Sequence, residues 1–178
     1  EIVKGCGDGL FHPGQTMTRA ELCALLAQAM NCAPVTGKSA FADVPEHAWY
    51  APYVNALWEM GLVEGCGDGQ FHPLDMIDHE QFITVVARLA ARLNMNFYEL
   101  CQEGPVEDTL ADESLAAYSD WAKSSAWLLG KSQLNLFGGE INLLFAPVSE
   151  LDPTAATLRE EAAALLYAVL SYTGILAV

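Results

Sequence analysis

Apolar residues along this chain recur at helical spacing. Leu22, Leu25, Leu26, Ala29 and Met30 fall on one stripe, and Phe82, Val85, Val86, Leu89 and Leu93 fall on another. A third stripe of Tyr50, Tyr53, Val54, Leu57 and Trp58 predicts a helix from near Trp49 to Met60. No stretch alternates with period two for long, so strands are not expected. Polar residues punctuate the stripes. Thr18 with Glu21, and Asp78 with Gln81, have the spacing of a capping box in front of the first and second stripes. Gly61 stands where a helix would close in a left-handed turn. Gly65, Gly67 and Gly69 then supply the backbone freedom of a tight loop, which Pro73 closes.

The pattern is repeated. Gly5-Cys6-Gly7-Asp8-Gly9-Leu10-Phe11-His12-Pro13 returns as Gly65-Cys66-Gly67-Asp68-Gly69-Gln70-Phe71-His72-Pro73, with eight of nine positions identical at a shift of 60. The apolar face of the following helix repeats with it. A weaker third copy aligns Phe41-Ala42-Asp43 with Leu110-Ala111-Asp112 at a shift of 69, which sets Trp49 on Tyr118, Trp58 on Trp127 and Gly61 on Gly130. Further on, Glu161 to Leu166 matches Glu21 to Leu26, while Gly138, Gly139 and Asn142 stand in for the lost Gly-Asp-Gly loop. Each copy is helix, loop, helix. Two helices cannot cover both stripes alone, so neighbouring copies are expected to pack their second helices together. The expected division is a partial copy at 1–38 without its first helix, a second copy at 39–104 and a divergent third at 105–178. Glu1 falls in the middle of a copy, so the chain is expected to be a fragment or processed product.

Taken together, Phe41-x-Asp43-Val44, Trp49, Gly61-Leu62-Val63-x-Gly65, Gly67-Asp68-Gly69-x-Phe71-x-Pro73 and, in the first copy, Thr18-Arg19-Ala20-Glu21 resemble the S-layer homology repeat. The resemblance implies an all-α fold of tandem helix–loop–helix repeats packed as a pseudo-threefold helical domain. It implies a non-catalytic role, anchoring a bacterial surface protein outside the cell to the wall or S-layer. The ligand would be secondary cell-wall polysaccharide, often pyruvylated, held in grooves between copies. In that family the Arg of Thr-Arg-Ala-Glu engages the acidic sugar, which points to Arg19 with Thr18 beside it. A guanidinium in a first helical turn offers a fork to a carboxylate, and the helix N-terminus adds partial positive charge. Trp49 could stack on a sugar face. The second copy departs from the pattern with Asp78-His79-Glu80-Gln81. In the third, the apolar helix sets Arg159 on Arg19, whereas a capping box of Thr157 with Glu160 would set Leu158 there.

Composition narrows the partners. Hydrophobic residues make up 52% and charged residues 17%, enough to bury a substantial core. The formal net charge of −15 repels nucleic acid and anionic lipid. Screening confines that field to about 8–10 Å at physiological salt, so a local anion site survives it. Ala162 to Val178 is uncharged but better suited to a buried helix than to membrane insertion. The five cysteines form no metal-ligand pattern and are expected to be mostly free and buried. Asp8 and Asp68 lie between glycines without the further oxygen ligands of a calcium loop, so neither metal nor cofactor is expected. Thr18, Glu21, Asp78 and Gln81 are first of all helix caps, and His12 and His72 loop packing. Trp49, Trp58, Trp121 and Trp127 lie on helix faces and are expected in the core rather than as carbohydrate platforms. No catalytic motif is found. Wall anchoring therefore leads, and a degenerate module that mediates protein assembly or self-association without sugar binding is the alternative.

Overall fold

A computed structural model describes residues 10–95, 112–136, 139–144 and 146–175. Five α-helices are its main elements: α1 Arg19–Ala29, α2 Ala51–Glu59, α3 His79–Arg92, α4 Asp120–Lys131 and α5 Arg159–Tyr172. A 3-10 turn spans Glu113–Leu115, and an antiparallel hairpin joins β1 Gln133–Leu136 to β2 Gly139–Asn142, with Gln133 opposite Asn142. The helical class stands, with that hairpin added where the third copy lacks the glycine loop. The chain divides into two units, 1–77 and 78–178. The loop glycines of the first copy, Cys6, Cys101 and the expected boundary at 104 lie outside the described residues.

Helix starts follow their polar spacing. Thr18 Oγ1 accepts from the Glu21 N–H (3.2 Å) and Glu21 Oε2 accepts from the Thr18 N–H (2.7 Å), a reciprocal capping box. Asp78 accepts from the Gln81 N–H (2.8 Å), but the Gln81 side-chain amide donates back to the Asp78 carboxylate (2.7 Å). In the third copy Leu158 occupies the cap position and Arg159 begins α5. Leu158 has no acceptor to offer, so only half a box remains: its N–H donates to Glu161 Oε2 at 2.7 Å. Of the two registers open to the sequence, the fold takes the one that sets Arg159 on Arg19.

Helices α1, α2, α3 and α5 end by one device. The Leu62 N–H reaches the Leu57 carbonyl and the Gly61 N–H reaches that of Trp58, with Gly61 at φ 72°, a Schellman closure. Asn31, Asn94 and Gly174 take the same left-handed place after α1, α3 and α5. Asparagine tolerates that conformation better than most residues. Helix α4 ends otherwise: Ser132 is extended, its hydroxyl donates to the Leu128 carbonyl (2.6 Å), and the chain runs straight into β1.

Within each unit, helices of successive copies pack together. In the first unit α1 lies along α2. In the second, α3 lies chiefly along α4 and also meets α5. A second helix thus takes the next copy's first helix as its main partner, while the second helices α3 and α5 also meet, as expected. The buried side of α1 is Leu22, Cys23, Ala24, Leu26 and Ala27, turned from the stripe read in the sequence, with Leu25, Ala29 and Met30 half-buried. In α3, Phe82, Ile83, Val86 and Leu89 are fully covered. Burial pushes the Cys23 thiol up to about 12, so it stays protonated. Cys32 is half-buried and Cys66 exposed, and none of these three thiols is in a disulfide.

At Gly65 backbone and ring approach too closely for a side chain. A Cβ on Gly65 would lie 2.7 Å from the Gln70 carbonyl oxygen and 2.9 Å from the Phe41 ring, whereas one on Gly14 would meet nothing within 4 Å. Gly65→Ala should therefore destabilise the protein by about 1–3 kcal/mol through backbone displacement, and Gly14→Ala should change it by less than about 0.5 kcal/mol. Urea midpoints of the two variants measure the difference.

Candidate functional site

The residues that carry the repeat motif meet around Phe71. Its N–H donates to Asp43 Oδ1 (2.8 Å) and the His72 N–H donates to Asp43 Oδ2 (2.7 Å), so one carboxylate grips two successive peptides. The Phe71 carbonyl accepts from Arg19 Nε (2.8 Å), and the Glu64 carbonyl accepts from Arg19 Nη2 (3.0 Å). Arg19 also lies over the Phe71 ring, with Cζ 4.5 Å from its centroid, a cation–π arrangement. Phe41 packs against the Phe71 ring at 5.2 Å, and Trp58 meets Phe41 edge-on at 6.2 Å. The loop from Glu64 to Phe71 is thereby tied to α1 and to the segment before α2.

Arg19 is only 8% exposed, so this guanidinium is a buried clamp on loop carbonyls. The helix start beside it is occupied as well. The Arg19 N–H donates to the Asp75 carbonyl and the Ala20 N–H to that of Pro73. Helix α3 repeats the arrangement, with the His79 N–H on Ala155 and the Glu80 N–H on Pro153. The N–H donors that sequence reasoning left open to an anion are thus taken up by the turn of the next copy.

At the second start, the His79 ring bridges the Asp152 carbonyl (2.8 Å) and Glu161 Oε2 (3.2 Å). Glu80, where the first copy has Ala20, is buried and accepts from both the N–H (2.9 Å) and the hydroxyl (2.8 Å) of Ser119. Ser119 is the cap residue of α4, so Glu80 caps that helix from α3. Sequence reasoning missed this role, for which a buried acid in place of alanine was the available signal. Burial, helped by Glu80, lifts the neighbouring Tyr118 hydroxyl to about 12.

Other expected site residues lie apart from the clamp. Trp49 is 58% exposed, its ring edge-on to Tyr50 at 5.5 Å. Trp58 and Trp121 are exposed too and Trp127 is half-buried, against the expected core placement. Arg159 is half-buried at the head of α5. Gly67 and Gly69 have φ of 85° and 81°, and Asp68 between them accepts from the Gln70 N–H (2.9 Å) and meets His72 Nε2 (2.8 Å). These contacts, that with His72 first, hold the Asp68 carboxyl below its usual range; the same contact chiefly raises His72. Among the described residues no group of three or more His, Cys, Asp or Glu side chains is arranged to hold a metal, and no helix is long and apolar enough to cross a membrane.

Residues 1–23 and 40–83 match the S-layer homology domain model. An amylopullulanase of Thermoanaerobacterium thermosulfurigenes is 31% identical over 173 residues, which is 97% of this chain and 8% of that protein. Exoglucanase XynX of Acetivibrio thermocellus is 30% identical over 169 residues, 95% of this chain and 14% of its own length. The S-layer protein sap of Bacillus anthracis is 40% identical over 78 residues, 43% of this chain and 9% of that protein. The chain thus spans a small part of the length of each.

Two outcomes follow from the loop. Arg19→Lys keeps the charge but loses the fork, and should cost about 1–3 kcal/mol in denaturant unfolding. His72, raised in the fold, contributes stability that is full below its ordinary value and is lost as pH rises through the folded value. Asp68, lowered, contributes stability that is lost as pH falls through its own folded value. His72→Asn, which still tolerates the positive φ, should therefore be more destabilising at about pH 5.5 than at about pH 9, as parallel urea titrations would read.

Proposed function

Because this chain belongs to the S-layer homology family through residues 1–23 and 40–83, we propose that it is a non-catalytic module anchoring a bacterial surface protein to secondary cell-wall polysaccharide, with pyruvylated sugar as its acidic feature. The observation that carries this is the family match; the names of the relatives, S-layer and other surface proteins among them, agree with a bacterial cell surface. Trp49 offers the stacking face for a sugar ring. Arg19 contributes fixed positive charge at the head of α1, where Thr18 holds the helix start, and Arg159 contributes the same at the head of α5, with more of its side chain open to solvent. The copies at 1–38, 39–104 and 105–178 are proposed as the repeats whose grooves meet the polymer. A −15 chain favours recognition through neutral ring faces and a few local cations over bulk charge.

Calorimetric titration with pyruvylated wall polysaccharide, and with the same polymer stripped of pyruvate, tests the proposal. Binding to the first, weakened at least about tenfold (about 1.4 kcal/mol) on the second, is expected. A folded chain that binds neither would overturn the anchoring role and favour assembly through protein contacts.

A further inference from the structure

We propose that Trp121 is a second carbohydrate platform equivalent to Trp49, so that each of the two units carries one stacking face for a sugar ring. This rests on the wall-polysaccharide function proposed above. The sequence alignment of the third copy at a shift of 69 hides the equivalence. The starts of α2 and α4, Ala51 and Asp120, keep the shift of 69, but their ends, Glu59 and Lys131, differ by 72, and burial follows the ends. At that shift the buried Tyr50, Val54, Leu57 and Leu62 fall on the buried Ala122, Ala126, Leu129 and Leu134. Gly130 leaves the helix-ending role too, since it lies within α4 and a Cβ there would sit 2.6 Å from Val148. Trp49 then falls on Trp121.

From 49 to 62 and from 121 to 134 the two copies share three identities: Trp49 with Trp121, Leu57 with Leu129, and Leu62 with Leu134. Packing accounts for the leucines, which are fully buried. It does not account for the tryptophans, which are 58% and 56% exposed, while core neighbours have shrunk from Tyr50 to Ala122 and from Val54 to Ala126. An indole kept at the surface while the core beneath it changes points to an external ligand.

The surroundings favour sugar over a protein surface. Among the described residues Trp121 is the one large apolar side chain exposed on α4. Beside it Asp120 is open to solvent and accepts from Lys123 Nζ at 2.7 Å. A flat apolar face meets the C–H face of a pyranose ring, and the carboxylate and ammonium beside it can serve its hydroxyls.

Calorimetry with short oligosaccharides cut from pyruvylated wall polysaccharide reads the number of sites. Two per chain are expected, one in Trp49→Ala, one in Trp121→Ala and none in the double variant, with helical circular dichroism unchanged. Trp121→Gln, which keeps a polar surface side chain of intermediate size, should lose the same single site, guarding against a folding defect particular to alanine. One site in the parent, abolished by Trp49→Ala and untouched at 121, would overturn the second platform and leave the anchoring function standing. No binding by the folded parent would overturn both.

Discussion

The peptide of Phe71 is the fixed point of the first unit. Its N–H is held by a carboxylate and its carbonyl by a guanidinium, and its ring lies beneath that same guanidinium. Both charges are met at the clamp by backbone dipoles, which offset the cost of burying Arg19. Much else follows from this attachment. Gly65 must lack a side chain because the loop is drawn against Phe41 and its own Gln70 carbonyl. His72 is held in a left-handed conformation because its N–H is required by Asp43 and its ring by Asp68. The third copy has no glycine loop and runs into a hairpin instead; its Asp112 turns to Ser114, accepting from the N–H and the hydroxyl.

Helix positions were legible in the sequence because apolar periodicity and cap spacing are local. What stayed hidden was decided by neighbours distant in the chain. Asn31 and Asn94 end helices as Gly61 does, yet asparagine is common enough elsewhere that the signal is weak. The hairpin at 133–142 was invisible to a search for long alternation, since four-residue strands hardly alternate. Arg19 looked like an open cation because its acceptors are carbonyls, which no residue name records. The sequence sets Trp49 on Tyr118 through Phe41-Ala42-Asp43 and one glycine, whereas the register proposed for Trp121 rests on the burial of Ala126, Leu129 and Leu134, which only packing exposes.

In the proposed reading, the framework and binding tasks of the repeat are separated in space. Motif residues that look chemically active, the arginine, the acids and the loop glycines, mostly build the frame. Trp49 and Trp121, the proposed sugar platforms, stand exposed outside that frame at helix entries. In the second copy Glu80 shows how far the frame can be altered: a carboxylate at an alanine position is accommodated because Ser119 supplies two donors to meet it.

Helices paired across copies give the chain a seam that its repeats do not mark. Helices α1 and α3 belong, by packing, with the first helix that follows each, so the break between packing units falls inside the second copy as read in the sequence, just after the glycine loop. That loop is also the segment most alike between the first two copies. Unequal recombination guided by this likeness would cut beside the seam and insert or remove whole helix pairs. Lengthening or shortening such an array would then leave its buried surfaces matched, whereas a cut between the copies as written would separate a pair of helices that cover each other.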